Sequence, residues 1–163
     1  EKPLVAVLGI DGIAVVATDD SVLVVPKSRS QEVKSIVAEM KSQNRNEIIS
    51  HTKVYRPWGH YLNIDSGEGY LVKQIVVNPG ARLSLQYHNH RAEHWVVVEG
   101  VARVTNGTAV MDLYPNESTY IPVRVRHRLE NLTGESLRLI EVQTGEIISE
   151  DDIVREDDTY GRA

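Results

Sequence analysis

The chain has 163 residues, enough for one domain with a hydrophobic core and a short attachment. Its net charge of −5 argues against a nucleic-acid binder, because phosphate backbones need a clustered basic surface. No apolar run approaches the roughly 20 residues of a membrane span, and without cysteine there is no disulfide framework or thiolate ligand, so any metal must sit on nitrogen and oxygen.

The chain opens at Glu1 rather than Met and carries no secretory signal. This points to a piece cut from a larger polypeptide and to a cytoplasmic location. Three short apolar runs come first, at 4–8, 13–17 and 22–25. They are rich in Val and separated by Gly-Ile-Asp-Gly and Thr-Asp-Asp-Ser, which is turn chemistry, so they read as short strands. In residues 30–41 the apolar positions Val33, Ile36, Val37 and Met40 fall at helical spacing on one face, with Ser30 as a candidate cap. The polar stretch 42–51 reads as a linker, which divides the chain into segments 1–41 and 52–163.

From residue 52 the texture changes. Strands are predicted at 61–64, 71–77, 83–88, 94–98, 102–104, 109–113, 118–121, 127–131 and 137–142. Turn signals such as Asn-Pro-Gly at 78–80 and Asn-Gly at 106–107 separate them. Many short strands about ten residues apart argue for a closed antiparallel sandwich or barrel. Asn106, Asn116 and Asn131 stand in glycosylation-like sequons but read as turn residues. The acidic tail after Gly145 allows a short helix over 150–154.

Three of the six histidines fall within the stretch Gln86-Tyr-His88-Asn-His90-Arg-Ala-Glu93-His94. If the 83–88 strand continues to His90, its period of two puts Gln86, His88 and His90 on one face. A turn at 91–92 then brings Glu93 back beside them. Imidazoles, an amide oxygen and a carboxylate suit a divalent metal. The competing reading is a set of satisfied polar residues, but three imidazoles buried together are costly unless something pairs with them.

The wider pattern resembles the cupins. Gly80, then Gln86-x-His88, Glu93 and Gly100 look like their first motif, with Gln where most have the first His. Pro122-x-Arg124-x-x-His127-x-x-x-Asn131 looks like the second, with Arg where Gly is usual. Gln86, His88, Glu93 and His127 match the ligand positions. Arg56-Pro-Trp-Gly59, Leu83-Ser-Leu-Gln-Tyr-His, Arg91-Ala-Glu-His-Trp95, Tyr120-Ile-Pro122, His127-Arg-Leu-Glu-Asn131 and Glu150-Asp-Asp-Ile-Val-Arg155 narrow the resemblance to type II phosphomannose isomerases. In that family this module is the C-terminal half of bifunctional enzymes of GDP-mannose and polysaccharide biosynthesis. Their other half is a mannose-1-phosphate guanylyltransferase. The resemblance implies an all-β cupin, a double-stranded β-helix or jelly-roll barrel, over 52–163. It implies that 1–41, short strands and one helix, are the tail of the guanylyltransferase half. The Gly-rich nucleotide-binding signature of that half is not in this stretch, so guanylyl transfer is not expected of it.

The reaction so implied interconverts mannose 6-phosphate and fructose 6-phosphate, moving a proton between C1 and C2 through an enediol. It needs a Lewis acid and a base. Zn is the first choice of metal, with Mn, Fe, Co and Ni suiting the same ligands. For the base the candidates are His90, preferred over His94 because strand alternation turns His94 outward if Glu93 points in, and Glu93 itself. Arg91, Arg155 and Arg162 are the candidates for gripping the phosphate; Arg91 is equally placed to meet a developing oxyanion. Arg82, Arg124, Arg126 and Arg128 also lie near the motifs. Trp58 and Trp95 read as core, with Trp95 sharing parity with Glu93 and so open to walling the pocket. The alternative function is a non-catalytic cupin that binds sugar phosphate or stabilises the guanylyltransferase half. A weaker third is another cupin sugar enzyme, such as an epimerase. Cupins and short Val-rich strands often pair between chains, so a homodimer is one arrangement open to this protein.

Overall fold

The structure, a computed structural model, describes residues 4–18, 21–43 and 53–161. Arg162 and nearly all of the stretch expected to be a linker lie outside the described residues. The chain divides into two compact units, Glu1–Thr52 and Lys53–Ala163. No helix among the described residues is long and apolar enough to cross a membrane.

In the first unit, β1 (Ile13–Ala17) and β2 (Val22–Pro26) form an antiparallel hairpin with Ile13 opposite Pro26. The third expected strand, 4–8, is irregular, with Leu4 97% and Leu8 95% exposed. β-branched composition favours a strand only where a partner is available to take its backbone hydrogen bonds. Pro26, whose ring fixes φ near −58°, leads into a 3₁₀ turn at Lys27–Glu32. Helix α1 follows at Val33–Ser42. Ser30 therefore lies inside the 3₁₀ turn, and Glu32 stands at the helix N-cap without a side-chain capping bond to the helix. The fork of Arg29 on Glu32 (2.7 and 2.6 Å) lies within that turn, which displaces the helix start from the position expected for it.

The second unit contains β3 (Lys53–Arg56), β4 (Gly59–Gly67), β5 (Tyr70–Val77), β6 (Leu85–His88), β7 (Arg91–Glu99), β8 (Ala102–Asn106), β9 (Ala109–Leu113), β10 (Ser118–Ile121), β11 (His127–Glu130), β12 (Leu137–Gly145) and β13 (Ile153–Asp157). They form two antiparallel sheets, ordered β10-β7-β12-β5-β4-β3 and β13-β6-β11-β8-β9. This is the antiparallel two-sheet barrel expected from the spacing of the short strands, and the jelly roll that the cupin resemblance implies. All nine predicted strands of this unit are present, two with the predicted boundaries and the others shifted by at most three residues. Two strands were not anticipated. β3 pairs with β4, and β13 pairs with β6. The tail helix expected over 150–154 is a single 3₁₀ turn, Glu150–Asp152, capped by Ser149 Oγ on the Asp151 amide at 3.0 Å. The next residues, Ile153-Val154, are β-branched and continue as a strand.

Alternation along three neighbouring strands sorts the barrel interior into two ends. β12 buries Leu137, Leu139, Glu141 and Gln143; β7 buries Arg91, Glu93, Trp95 and Val97; β5 buries Lys73, Ile75 and Val77. The apolar members join Ala102, Val104, Ile121 and Leu129 in one core, where each large aliphatic side chain contributes about 1.5–3 kcal/mol. The polar members gather at the other end. Two local features hold this register, one of backbone and one of a side chain. Gly59 (φ +147°) lies so close to β5 that a Cβ there would meet the Val76 carbonyl oxygen at 2.0 Å. Asn131, fully buried, donates to the carbonyls of Val77 (3.0 Å), Asn78 (3.2 Å) and Glu135 (2.7 Å) and accepts from the Thr133 amide and hydroxyl. Of the other two sequon residues, Asn116 takes a left-handed turn conformation (φ 73°) and Asn106 closes β8 with its amide on the Tyr120 carbonyl at 2.9 Å.

Candidate metal centre

β6 stops at His88, two residues earlier than a strand reaching His90 requires, and 89–90 form the turn into β7. Asp152 fixes this turn by accepting from the Asn89 (3.1 Å) and His90 (3.2 Å) amides. His88 ends on the inward face, 2% exposed, while the His90 side chain is exposed and does not line the cleft described below. Because β7 begins at Arg91, its alternation turns Arg91 and Glu93 inward and His94 outward, as the parity of His94 required. His127 opens β11, directly opposite Gln86 on β6.

His88, Glu93 and His127 are all buried, and one ligand atom of each lies within 4.8 Å of the others. His88 Nε2 is 2.9 Å from Glu93 Oε1, and His127 Nε2 is 3.6 Å from Glu93 Oε2. The imidazole rings tilt at 54° with centroids 4.9 Å apart. Neither His88 nitrogen nor His127 Nε2 makes a hydrogen bond in the structure. Buried polar atoms are rarely left so. His127 Nδ1 is 2.9 Å from the Val125 carbonyl, which holds the proton on Nδ1 and turns the Nε2 lone pair to the cluster. Two free imidazole nitrogens and one carboxylate make a donor set that fits a divalent cation. Gln86 shares the lining of the same cleft, its Oε1 accepting from Ser84 Oγ at 3.0 Å.

The carboxylate is held by a layer of donors. Glu93 Oε1 accepts from Gln143 Nε2 (3.1 Å) and from Arg91 Nε (3.4 Å), and Oε2 accepts from Trp95 Nε1 (3.1 Å). Burial alone would raise its pKa, but the contact with His88 and then the charges of His127 and Arg91 outweigh burial and hold it well below the usual carboxylate range. Glu141 shares two of these donors, Trp95 Nε1 at 2.9 Å and Gln143 Nε2 at 2.7 Å. Burial and then the negative charge of Glu93 push Glu141 up to about 8. Burial likewise pushes His127 down, against the opposing pull of Glu93.

Arg91 is 2% exposed, and its Nη1 donates to the Ser149 carbonyl at 2.6 Å and lies 3.7 Å from Asp152. It thus joins Glu93 to the turn at 149–152. Arg155 faces Gln86 across β13 and β6. Arg126 and Arg128 pair with Glu156 and Asp157, Arg82 reaches Thr159, and these bonds fasten the tail to the barrel. Arg124 takes a left-handed conformation (φ 65°) where the cupin motif usually has Gly, and its amide donates to the His88 carbonyl at 2.7 Å. Trp95 belongs to the core and stacks edge-on against His127 at 5.6 Å.

Glu93, Gln86, Arg91 and Arg155 line one cleft together with Lys73, Glu141, Gln143 and Trp58. Lys73, Glu141 and Gln143 were not singled out from the sequence. Strand parity carried the signal: Leu137 and Leu139 place Glu141 and Gln143 on the same inward face, and Ile75 and Val77 do the same for Lys73.

The sequence matches the family described as "Mannose-6-phosphate isomerase C-terminal" over residues 43–158, and "MannoseP isomerase/GMP-like beta-helix domain" over residues 1–40. It is 56% identical over 159 residues to the xanthan biosynthesis protein XanB of Xanthomonas campestris pv. campestris, covering 98% of this chain and 34% of that protein. It is 51% identical over 162 residues to a mannose-1-phosphate guanylyltransferase of Salmonella montevideo, covering 99% and 34%. The chain thus spans about a third of the length of these relatives. Among solved structures, an RmlC-like cupin from Shewanella frigidimarina superposes with a TM-score of 0.51 at 22% identity, covering 56% of this chain and 78% of the other. This likeness establishes the cupin fold.

Proposed function

The chain belongs to the mannose-6-phosphate isomerase C-terminal family, and on that premise we propose that its barrel interconverts mannose 6-phosphate and fructose 6-phosphate in a metal-dependent way. The observation that carries this reading is the buried His88–Glu93–His127 cluster, whose Glu93 also lines a cleft with the side chains of Lys73, Arg91 and Arg155. Gln86 is the proposed fourth ligand.

A divalent ion held by these residues would supply Lewis-acid polarisation of the sugar oxygens. The protein's part is to keep the donors fixed and the proton carrier close. Gln143 and Trp95 hold both oxygens of Glu93, so the carboxylate needs no reorganisation when charge develops beside it. Arg91 is a positioning residue: it donates to Glu93 and ties it to the 149–152 turn. The C1–C2 proton transfer falls to a carboxyl in the same cleft. Glu141 lines that cleft, is 4% exposed and is not one of the four proposed ligands.

The enediol route has a direct test. Turnover in D₂O places solvent deuterium at C1 of fructose 6-phosphate or C2 of mannose 6-phosphate if the carried proton exchanges in the cleft. Product that forms with no deuterium at any extent of conversion, together with an undiminished rate in Glu141→Gln, favours a hydride shift and removes Glu141 from the mechanism.

A further inference from the structure

Three cations from three strands converge on a single carboxylate. Glu150 Oε1 lies 3.4 Å from Lys73 Nζ on β5. Its Oε2 lies 3.7 Å from Arg56 Nη2 at the end of β3 and 4.0 Å from Arg155 Nη2 on β13. All four residues line the cleft that holds Glu93. The Lys73 side chain is 9% exposed and Glu150 is 45% exposed. A buried ammonium needs a counter-charge. Lys73 obtains it from the half-exposed Glu150 carboxylate, and its ammonium also lies over the Tyr61 ring, whose centroid is 4.6 Å away.

Glu150 is not needed to hold its own backbone turn. That turn is fixed by Asp152 on the Asn89 and His90 amides, by Arg91 on the Ser149 carbonyl and by the Ser149 cap. One carboxylate also satisfies three cations poorly. A dianionic phosphate, with three terminal oxygens, offers one acceptor to each.

We propose that Arg56, Lys73 and Arg155 form a phosphate-binding subsite and that Glu150 fills it as an exchangeable anion, which the phosphate group of a substrate displaces. The identity of that substrate rests on the isomerase reading; the anion subsite does not. Glu150 then acts as a built-in competitor that keeps the cations paired until a phosphorylated sugar arrives, and it disfavours sugars that lack the phosphate.

The test is calorimetric titration of inorganic phosphate and of mannose 6-phosphate into the metal-loaded chain at constant ionic strength. Glu150→Gln keeps the shape and removes the competing charge, and it should bind both ligands several-fold more tightly. Adding Arg155→Gln to that background should weaken both by about tenfold or more. Because Lys73 is buried and its variants can fail to fold, the surface-reachable Arg155 carries the test, with far-UV circular dichroism as the check on folding. Phosphate that binds no tighter to Glu150→Gln, or equally well after Arg155→Gln, overturns the subsite. Inorganic phosphate binds without turnover, so an inactive chain with both shifts for phosphate keeps the subsite and loses the isomerase reading. Turnover without the shifts does the reverse.

Discussion

Gln143 on β12 stands directly opposite Glu93 on β7, and its amide donates to that carboxylate at 3.1 Å and to Glu141 at 2.7 Å. The amide donates to two acids at once and has no ligand role of its own in the account given above. Partners of this kind around a metal ligand typically matter tenfold to a hundredfold in affinity. Gln143→Leu should therefore lower metal affinity by about that range while leaving the fold intact. Competition with a chelator measures it; an unchanged affinity would show that Glu93 is held by Arg91 and Trp95 alone.

Glu141 makes stability depend on pH in a defined direction. Its carboxyl titrates at about 8 when folded and near 4.5 in the ordinary reference state. Between those values the folded chain binds the extra proton, so stability is fully present below about 4.5 and is lost as pH rises toward 8. The loss is on the order of a few kcal/mol. His127, pushed down from 6.5 by burial, contributes the opposite slope below that pH. The difference between the metal-free protein and its Glu141→Gln variant cancels the His127 term. Denaturant midpoints from pH 5 to 8 should fall more steeply for the parent than for the variant. Parallel curves would mean that Glu141 is ionised in the fold.

Arg124 stores strain where the cupin pattern has glycine. A left-handed conformation costs an L-residue about 1–2 kcal/mol, and glycine adopts it freely at some cost in chain entropy. Arg124→Gly should raise stability by roughly 0.5–1 kcal/mol, since its only bond to the site is made by the backbone amide on the His88 carbonyl. Thermal unfolding checks it. A clear loss of stability would assign the guanidinium a structural role that the backbone geometry does not explain.

The barrel was legible in the sequence because alternation and turn chemistry repeat in every strand. The cluster of His88, Glu93 and His127 was legible because both motifs point to it and the parity of β7 turns Glu93 inward. His90 was misplaced for a local reason: strand alternation was extended two residues too far, into a turn that exists because Asp152, some sixty residues away, accepts its amides. The same long-range pairing hid β13, whose partner β6 is remote in sequence. Residues 4–8 have strand composition, but strand formation also needs a neighbour, which composition does not report. Lys73, Glu141 and Gln143 escaped notice because each was weighed alone, as a charged or polar residue in a strand, rather than by the face it shares with its neighbours.

The measurement that bears most directly on the central claim is fructose 6-phosphate formation from mannose 6-phosphate by the folded chain, metal-loaded and metal-stripped, beside His127→Ala. The cluster of His88, Glu93 and His127 predicts turnover that needs the metal, disappears on stripping, returns on reloading, and falls by at least about a hundredfold in His127→Ala mainly through kcat. Equal turnover in the stripped and loaded protein, or none in a folded chain that binds both metal and mannose 6-phosphate, would contradict it.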